Sequence, residues 1–151
     1  MARILYHLIP LNPRFVPEEA HHAAAISHLQ KIAPKARDIR IDIDPSVQLV
    51  MCDLNLSAIY CPACSAALSI DWWIERMDGD YRDGGFVLAE HPLPCCHARR
   101  GLHELIYDWF QGFARFSITI EDPGIGAISE RDREILSSIL KTPLRIVYQC
   151  S

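Results

Sequence analysis

No stretch of this 151-residue chain is apolar for the roughly 18 consecutive residues that a membrane-spanning helix requires, because Arg, Asp or His interrupts every apolar run. Positive charge is also in short supply. Lys and Arg number 15 against 19 Asp and Glu, for a formal net charge of -4. That balance exerts no general pull on phosphate backbones and disfavours a nucleic-acid partner. The six cysteines are too few for a disulfide scaffold. Met1 to Pro10 hold one basic residue with no small-residue cleavage site after them. A strand is expected there in place of a signal peptide, and with it a cytoplasmic location where thiols stay reduced. Gly-x-Ser-x-Gly, His-Glu-x-x-His and a phosphate-cradling Gly-rich loop with its Lys are all absent. His21, His22 and His28 lack the i, i+4 spacing that would put two imidazoles on one metal. No catalytic residue is legible, so a non-catalytic role is expected.

What is present supports a packed core. Hydrophobic residues make up 50% of the chain and charged residues 23%, which excludes wholesale disorder. Ile4 to Ile9 are apolar on both faces, as in a strand covered on both sides. Pro17-Glu18-Glu19 opens a helix whose apolar positions run from His22 to Ala33, and Pro34 stops it. Ile39, Ile41 and Ile43 alternate with charged residues as a strand with one wet face. Asp44-Pro45-Ser46 has turn chemistry, so Val47 to Cys52 is expected to return as a hairpin partner.

Strand and helix alternate again near the C-terminus. Ala114, Phe116, Ile118 and Ile120 share one face of a strand. Ser129 with Asp132 resembles a capping box ahead of an apolar stripe at Ile135, Leu136, Ile139 and Leu140. Leu144, Ile146, Tyr148 and Cys150 alternate as a last strand. Two strand–helix–strand units flanking a different middle segment imply an α+β fold. The expected architecture is a ferredoxin-like sandwich in a single domain, 1–151, with an insertion at about 58–112.

The insertion holds the chemistry. Cys61-Pro62-Ala63-Cys64 precedes Cys95-Cys96-His97. A Cys-x-x-Cys turn aims two sulfurs at one ion, and a second cysteine pair completes a tetrahedral shell. The expectation is one structural Zn2+ held by Cys61, Cys64, Cys96 and then Cys95, with His97 as the rival ligand. The competing reading of Cys61 and Cys64 as a redox dithiol needs no second pair. Cys52 and Cys150 sit among apolar residues and read as buried thiols. Around Trp72-Trp73 a short helix capped by Asp71 is expected, and Leu102, Leu105, Ile106, Trp109 and Phe110 trace a second helix ending at Gly112. Asp78 to Gly85 has the wrong register for a calcium loop and reads as a surface turn.

Cys61-Pro62-Ala63-Cys64, Trp72-Trp73, Pro94-Cys95-Cys96, the segment from Leu102 to Trp109 and Gly112-Phe113-Ala114-Arg115-Phe116 resemble a family of small uncharacterised bacterial proteins. Its pattern runs CPxCG, WW, PCCG, LxxLxYDW and GFARF, over about residues 60–120. The resemblance implies that the two cysteine pairs belong to one recurrent module. This chain departs at Ser65 and His97, where the pattern carries Gly, and at Phe110, where it often carries Pro.

The role expected from these features is binding a protein partner, for instance as an immunity or inhibitor protein that blocks a toxin. Trp72 off the helical core face, ringed by Asp78, Asp80 and Asp83, would anchor a basic partner; the other reading of Trp72 is a core residue packed under the neighbouring hairpin. The alternatives are a thiol redox protein, an enzyme whose site only the fold assembles, and a nucleic-acid-binding zinc domain. The last requires Arg99, Arg100 and Arg115 to gather with Arg76 and Arg82.

Overall fold

The two strand–helix–strand units form the main body, as the hydrophobic alternation implies. The computed structural model describes residues 3–51 and 57–150. Strand β1 (Ile4–Pro10), helix α1 (His22–Ile32) and strand β2 (Asp38–Met51) make the first unit. Strand β10 (Gln111–Glu121), helix α3 (Glu130–Leu140) and strand β11 (Leu144–Cys150) make the second. These four strands lie in the order β11-β1-β10-β2, each antiparallel to its neighbours. The architecture is α+β with a mostly antiparallel sheet.

One face of the sheet carries the first core. Tyr6, Leu8, Phe116, Ile118, Ile120 and Ile146 pack against Ala25 and Leu29 of α1 and Leu136 and Leu140 of α3. The Tyr6 hydroxyl donates to the carbonyls of Ile125 and Gly126, so this buried ring keeps its polar end satisfied. Ser129 caps α3 by accepting from the Asp132 N–H at 3.1 Å, while its hydroxyl donates to the Asp132 carboxylate at 2.9 Å. That carboxylate also meets His28 of α1 at 3.0 Å, and the Ser129 hydroxyl first, then His28, hold it below its ordinary range. Helix α1 starts later than Pro17 implies, after a 3₁₀ turn at Glu19–His21.

The expected hairpin at Asp44-Pro45-Ser46 is not one. Strand β2 continues through it in the same direction, and both halves pair with β10. The local turn chemistry is nevertheless there. The Asp44 carboxylate accepts from the Ser46 N–H at 3.0 Å and the Arg115 guanidinium donates to the Asp44 carbonyl at 3.0 Å. The result is a bulge, between the pairs Ile43↔Phe116 and Gln48↔Ala114. It moves Ala114 off the face expected for it. Ala114 clusters with Ile9 and Val147, opposite the face occupied by Phe116.

The insertion docks at this bulge. Between β2 and β10 come β3 (Ile59–Tyr60), β4 (Ala67–Leu68), α2 (Ile70–Asp80), β5 (Tyr81–Arg82), β6 (Gly85–Phe86), β7 (His91–Pro92), β8 (Arg99–Arg100) and β9 (Ile106–Tyr107). The β5–β6 hairpin extends the main sheet through the pair Val47↔Phe86. Gly85 permits the approach, since a Cβ there would sit 2.2 Å from the Ser46 Cβ and 2.9 Å from the Val47 carbonyl oxygen. A second core then forms from Val47 and Phe113 of the long strands with Ile59, Trp73, Leu88, Leu93, Leu102 and Leu105.

Two helix expectations change here. Ser69, and not Asp71, caps α2, its hydroxyl accepting from the Trp72 N–H at 3.3 Å. Leu102 to Phe110 form no α-helix. A 3₁₀ turn at Leu102–Glu104 leads into β9, which pairs with β3 through Ile59↔Tyr107 and Tyr60↔Ile106. The open edge of β3 takes this segment's main-chain hydrogen bonds, while Ile106 and Phe110 stay half exposed at 50% and 54%. Gly112 lies within β10 against the Ile9 side chain, 2.3 Å from where a Cβ would fall, and is no helix cap.

Candidate metal centre

Each cysteine pair sits in a short hairpin built the same way. In the first, β3 and β4 pair as Ile59↔Leu68 and Tyr60↔Ala67, the Cys61 N–H donates to the Ala66 carbonyl and the Ser65 N–H to the Cys61 carbonyl, both at 2.9 Å. In the second, β7 and β8 pair as His91↔Arg100 and Pro92↔Arg99, with Leu93 N–H to Ala98 and His97 N–H to Leu93, again both at 2.9 Å. Position for position, Ile59–Leu68 therefore corresponds to His91–Arg100. Pro62 matches Pro94, Cys64 matches Cys96 and Ala66 matches Ala98. Leu93, fully buried, stands where the first hairpin has Cys61. The missing sulfur comes from Cys95, two residues further along. This accounts for the unusual adjacent cysteines: one holds the ordinary second position of the turn, and the other replaces a first position given over to the core.

The four sulfurs meet. Among the described residues one group of His, Cys, Asp and Glu side chains draws its ligand atoms together. It is Cys61, Cys64, Cys95 and Cys96, whose Sγ atoms all lie within 4.8 Å of one another and can hold a metal ion. Cys61 Sγ lies 3.7 Å from Cys96 Sγ, and Cys95 Sγ 3.8 Å from Cys96 Sγ. Both distances exclude a disulfide. A tetrahedron with metal–sulfur bonds of about 2.3 Å has edges of about 3.8 Å, the spacing seen between these pairs. Cys61 is buried and the other three are exposed, so the site lies at the edge of the second core.

The backbone favours thiolates here. The Ala63 and Cys64 N–H groups lie 3.3 and 3.4 Å from Cys61 Sγ. Burial opposes ionisation of Cys61, but these N–H groups, with the neighbouring thiols, outweigh it and lower its pKa to about 6. Cys95 goes the other way, pushed up to about 12 by local desolvation within the cluster, by thiol hydrogen bonds and by the Cys61 charge. The surroundings therefore favour the thiolate at Cys61 and the thiol at Cys95, and a cation would replace the shared protons.

His97 is outside the cluster. Its side chain is exposed, and its backbone takes φ 62°, just as Ser65 takes φ 65°. Gly is the residue that adopts positive φ without a Cβ penalty. We expect Ser65→Gly and His97→Gly each to stabilise the metal-loaded chain by ~0.5–1 kcal/mol in urea melts, with metal content unchanged. Loss of metal from His97→Gly would instead restore His97 as a ligand.

The remaining expected site residues scatter. Trp72 is half-buried and packs against the second core, so it is not the free anchor anticipated. Asp80, expected on the surface beside it, is 2% exposed. Its carboxylate accepts from the Leu88 N–H at 2.8 Å and the Ala89 N–H at 2.9 Å, and holds the chain leaving β6 against the end of α2. Asp78 and Asp83 are exposed. Arg82 and Arg115 line one shallow cavity together with Arg14, but Arg76, Arg99 and Arg100 are not in its wall. His7 bridges Thr119 and Gln149 at 2.9 Å each, and burial lowers its pKa. The expected burial of Cys52, and of the Cys150 side chain, falls outside the described residues. No helix among the described residues is long and apolar enough to cross a membrane. Comparisons with family models, curated proteins and solved structures find no match for this chain.

The paired hairpins are the feature that sequence reading missed. The signal was present as Pro-x-Cys-x-Ala at 62–66 and again at 94–98. It is visible once the turns are aligned on their prolines in place of their first cysteines.

Proposed function

We propose that the chain is a non-catalytic, cytoplasmic binding domain whose insertion is held in shape by one structural zinc ion on Cys61, Cys64, Cys95 and Cys96. The observation that carries this reading is the sulfur spacing of 3.7 and 3.8 Å, matched to the edge of a zinc–thiolate tetrahedron. Four protein sulfurs occupy every position of such a shell, which leaves none for a substrate. A reducing compartment suits four thiols kept as metal ligands. The sheet order β11-β1-β10-β2, antiparallel throughout and built from two strand–helix–strand units, supports a ferredoxin-like scaffold. The redox alternative is weaker. Cys61 and Cys64 lie in a turn between two strands, away from any helix N-terminus, and their sulfurs are shared with a second pair.

The partner in this reading is a basic protein, as an immunity or inhibitor protein would meet. The surface moves from Trp72 to the outer side of α2, where Asp71, Ile74, Glu75 and Asp78 follow at helical spacing and are all exposed. An apolar side chain flanked by carboxylates gives such a partner both a contact and a steering field. Two measurements test the reading. The purified full chain should contain about one zinc per molecule, and its cobalt-substituted form should show tetrahedral thiolate spectra. Absence of zinc and iron overturns the metal assignment. Affinity capture from the native host should return a basic protein that Asp71→Lys with Asp78→Lys releases at an unchanged melting temperature. Capture unaffected by that double substitution overturns the surface.

A further inference from the structure

Four buried side-chain polar atoms in the described residues have no hydrogen-bond partner: Arg76 Nε, His91 Nε2, His103 Nδ1 and Gln111 Nε2. Such atoms are rare in native proteins, and each calls for an explanation. Two of the four belong to residues in the wall of one cavity of about 680 Å³, between the insertion and β11. Gln111 is only 3% exposed. Its Oε1 accepts from the Trp109 Nε1–H at 2.6 Å, which fixes the amide orientation and leaves the NH₂ group without a partner of full hydrogen-bond geometry, the Tyr107 hydroxyl being its polar neighbour. His103 is the second residue, and burial keeps its ring toward the neutral form.

Two donor groups of this wall, the Gln111 amide and the Arg145 guanidinium, have capacity to spare. Arg145 donates one N–H to the Gln111 carbonyl at 3.1 Å, which anchors it beside the amide. It makes no ion pair among the described residues, so other donors of the guanidinium are unspent. The two carboxylates in the wall are exposed, and each has one oxygen engaged. Asp108 accepts from the Ser57 hydroxyl and the Ala58 N–H, and Glu104 accepts from the Gly101 N–H at 2.8 Å. The rest of the lining is aromatic or aliphatic, with Trp109, Phe110 and Ile146 prominent and Phe110 54% exposed. A planar apolar body with an acceptor-rich end fits that combination, and a carboxylate is the end that a guanidinium and an amide NH₂ bind together.

We propose that this cavity is a binding site for a small aromatic carboxylate, held by the Gln111 amide and the Arg145 guanidinium, with its ring against Trp109 and Phe110. The site is separate from the cysteine cluster, although β9, which contributes to its wall, pairs with the strand leading to Cys61. Its occupant therefore bridges the insertion and the main sheet.

The test is calorimetric titration of the full, metal-loaded chain with 2-naphthoate and with the uncharged 2-naphthylmethanol. Naphthoate should bind saturably, about one per chain, with a Kd of about a millimolar or tighter. Gln111→Glu keeps the acceptor for Trp109 but sets a carboxylate against the ligand. Arg145→Gln removes the guanidinium at an exposed position. Each should weaken naphthoate by about tenfold or more, as loss of a charge-assisted contact does, and change naphthylmethanol by less than about twofold. Absence of saturable naphthoate binding to the unaltered chain overturns the proposal, as does equal weakening of both probes or of neither. If Gln111→Glu folds poorly, Arg145→Gln alone decides, because its side chain is at the surface.

Discussion

Stripping the metal from the full chain, or replacing Cys61 with Ser, is expected to lower the melting temperature by about 10 °C or more and to melt the insertion first. In small zinc modules the binding free energy, about 10–16 kcal/mol in isolated peptides, is folding free energy. Even a third of that would move the midpoint of a chain this size by roughly 10 °C. Cys61 is the sensitive position because it is fully buried in the second core together with Ile59, Leu68 and Trp73, whereas the other three sulfurs are exposed. The first core shares no buried residue with the second. Hydrogen exchange should accordingly show lost protection in residues 59–107 while the amides of β1 and β11 remain protected. Trp73, whose indole donates to the Tyr107 hydroxyl at 2.9 Å, should report the same event as a red shift in fluorescence. An unchanged midpoint and an unchanged spectrum after chelation would sink the structural role of the metal.

The next largest effect is expected from Asp80→Ala, a loss of about 2–5 kcal/mol in urea melts of the metal-loaded chain. Its carboxylate accepts from two main-chain N–H groups, those of Leu88 and Ala89, at a 2% exposed position. Removing it strands two donors, and each unsatisfied buried donor costs about 1–3 kcal/mol. Asp80→Asn retains one acceptor and should cost about half as much. Metal content should stay the same in both variants, which separates this effect from the thiol cluster. A change within about 0.5 kcal/mol for Asp80→Ala would show that water reaches those N–H groups.

How far the chain could be read depended on the range of the interactions involved. Periodicity located β1, α1, β10, α3 and β11, because each buries a stripe of its own side chains whatever it packs on. Ser129 announced its cap for the same reason: donor and acceptor lie within one turn. Asp44-Pro45-Ser46 shows the limit. The Asx hydrogen bond formed as its composition implies, yet whether the chain reverses or bulges was decided by β10, a partner about seventy residues away, and by the Arg115 guanidinium on the Asp44 carbonyl. Leu102 to Phe110 failed likewise. Their spacing satisfies a helix, but β3 offered unpaired main-chain groups that β9 could satisfy.

The sequence by itself determined that two cysteine pairs offer a set of thiol ligands, because a Cys-x-x-Cys turn brings its own sulfurs together wherever it folds. It also determined the alternation of strands and helices and the lack of a readable catalytic set. Only the tertiary structure decided that Cys95, and not His97, joins the cluster, because the second hairpin gives its first position to Leu93 and turns His97 outward at positive φ. The tertiary structure also buried Asp80 and packed Trp72 against the second core. Burial of a carboxylate depends on which backbone donors arrive beside it, and the N–H groups of Leu88 and Ala89 come from beyond the β5–β6 hairpin. Local composition carries no record of that arrival, which is set by the docking of Gly85 and Phe86 on the bulge in β2.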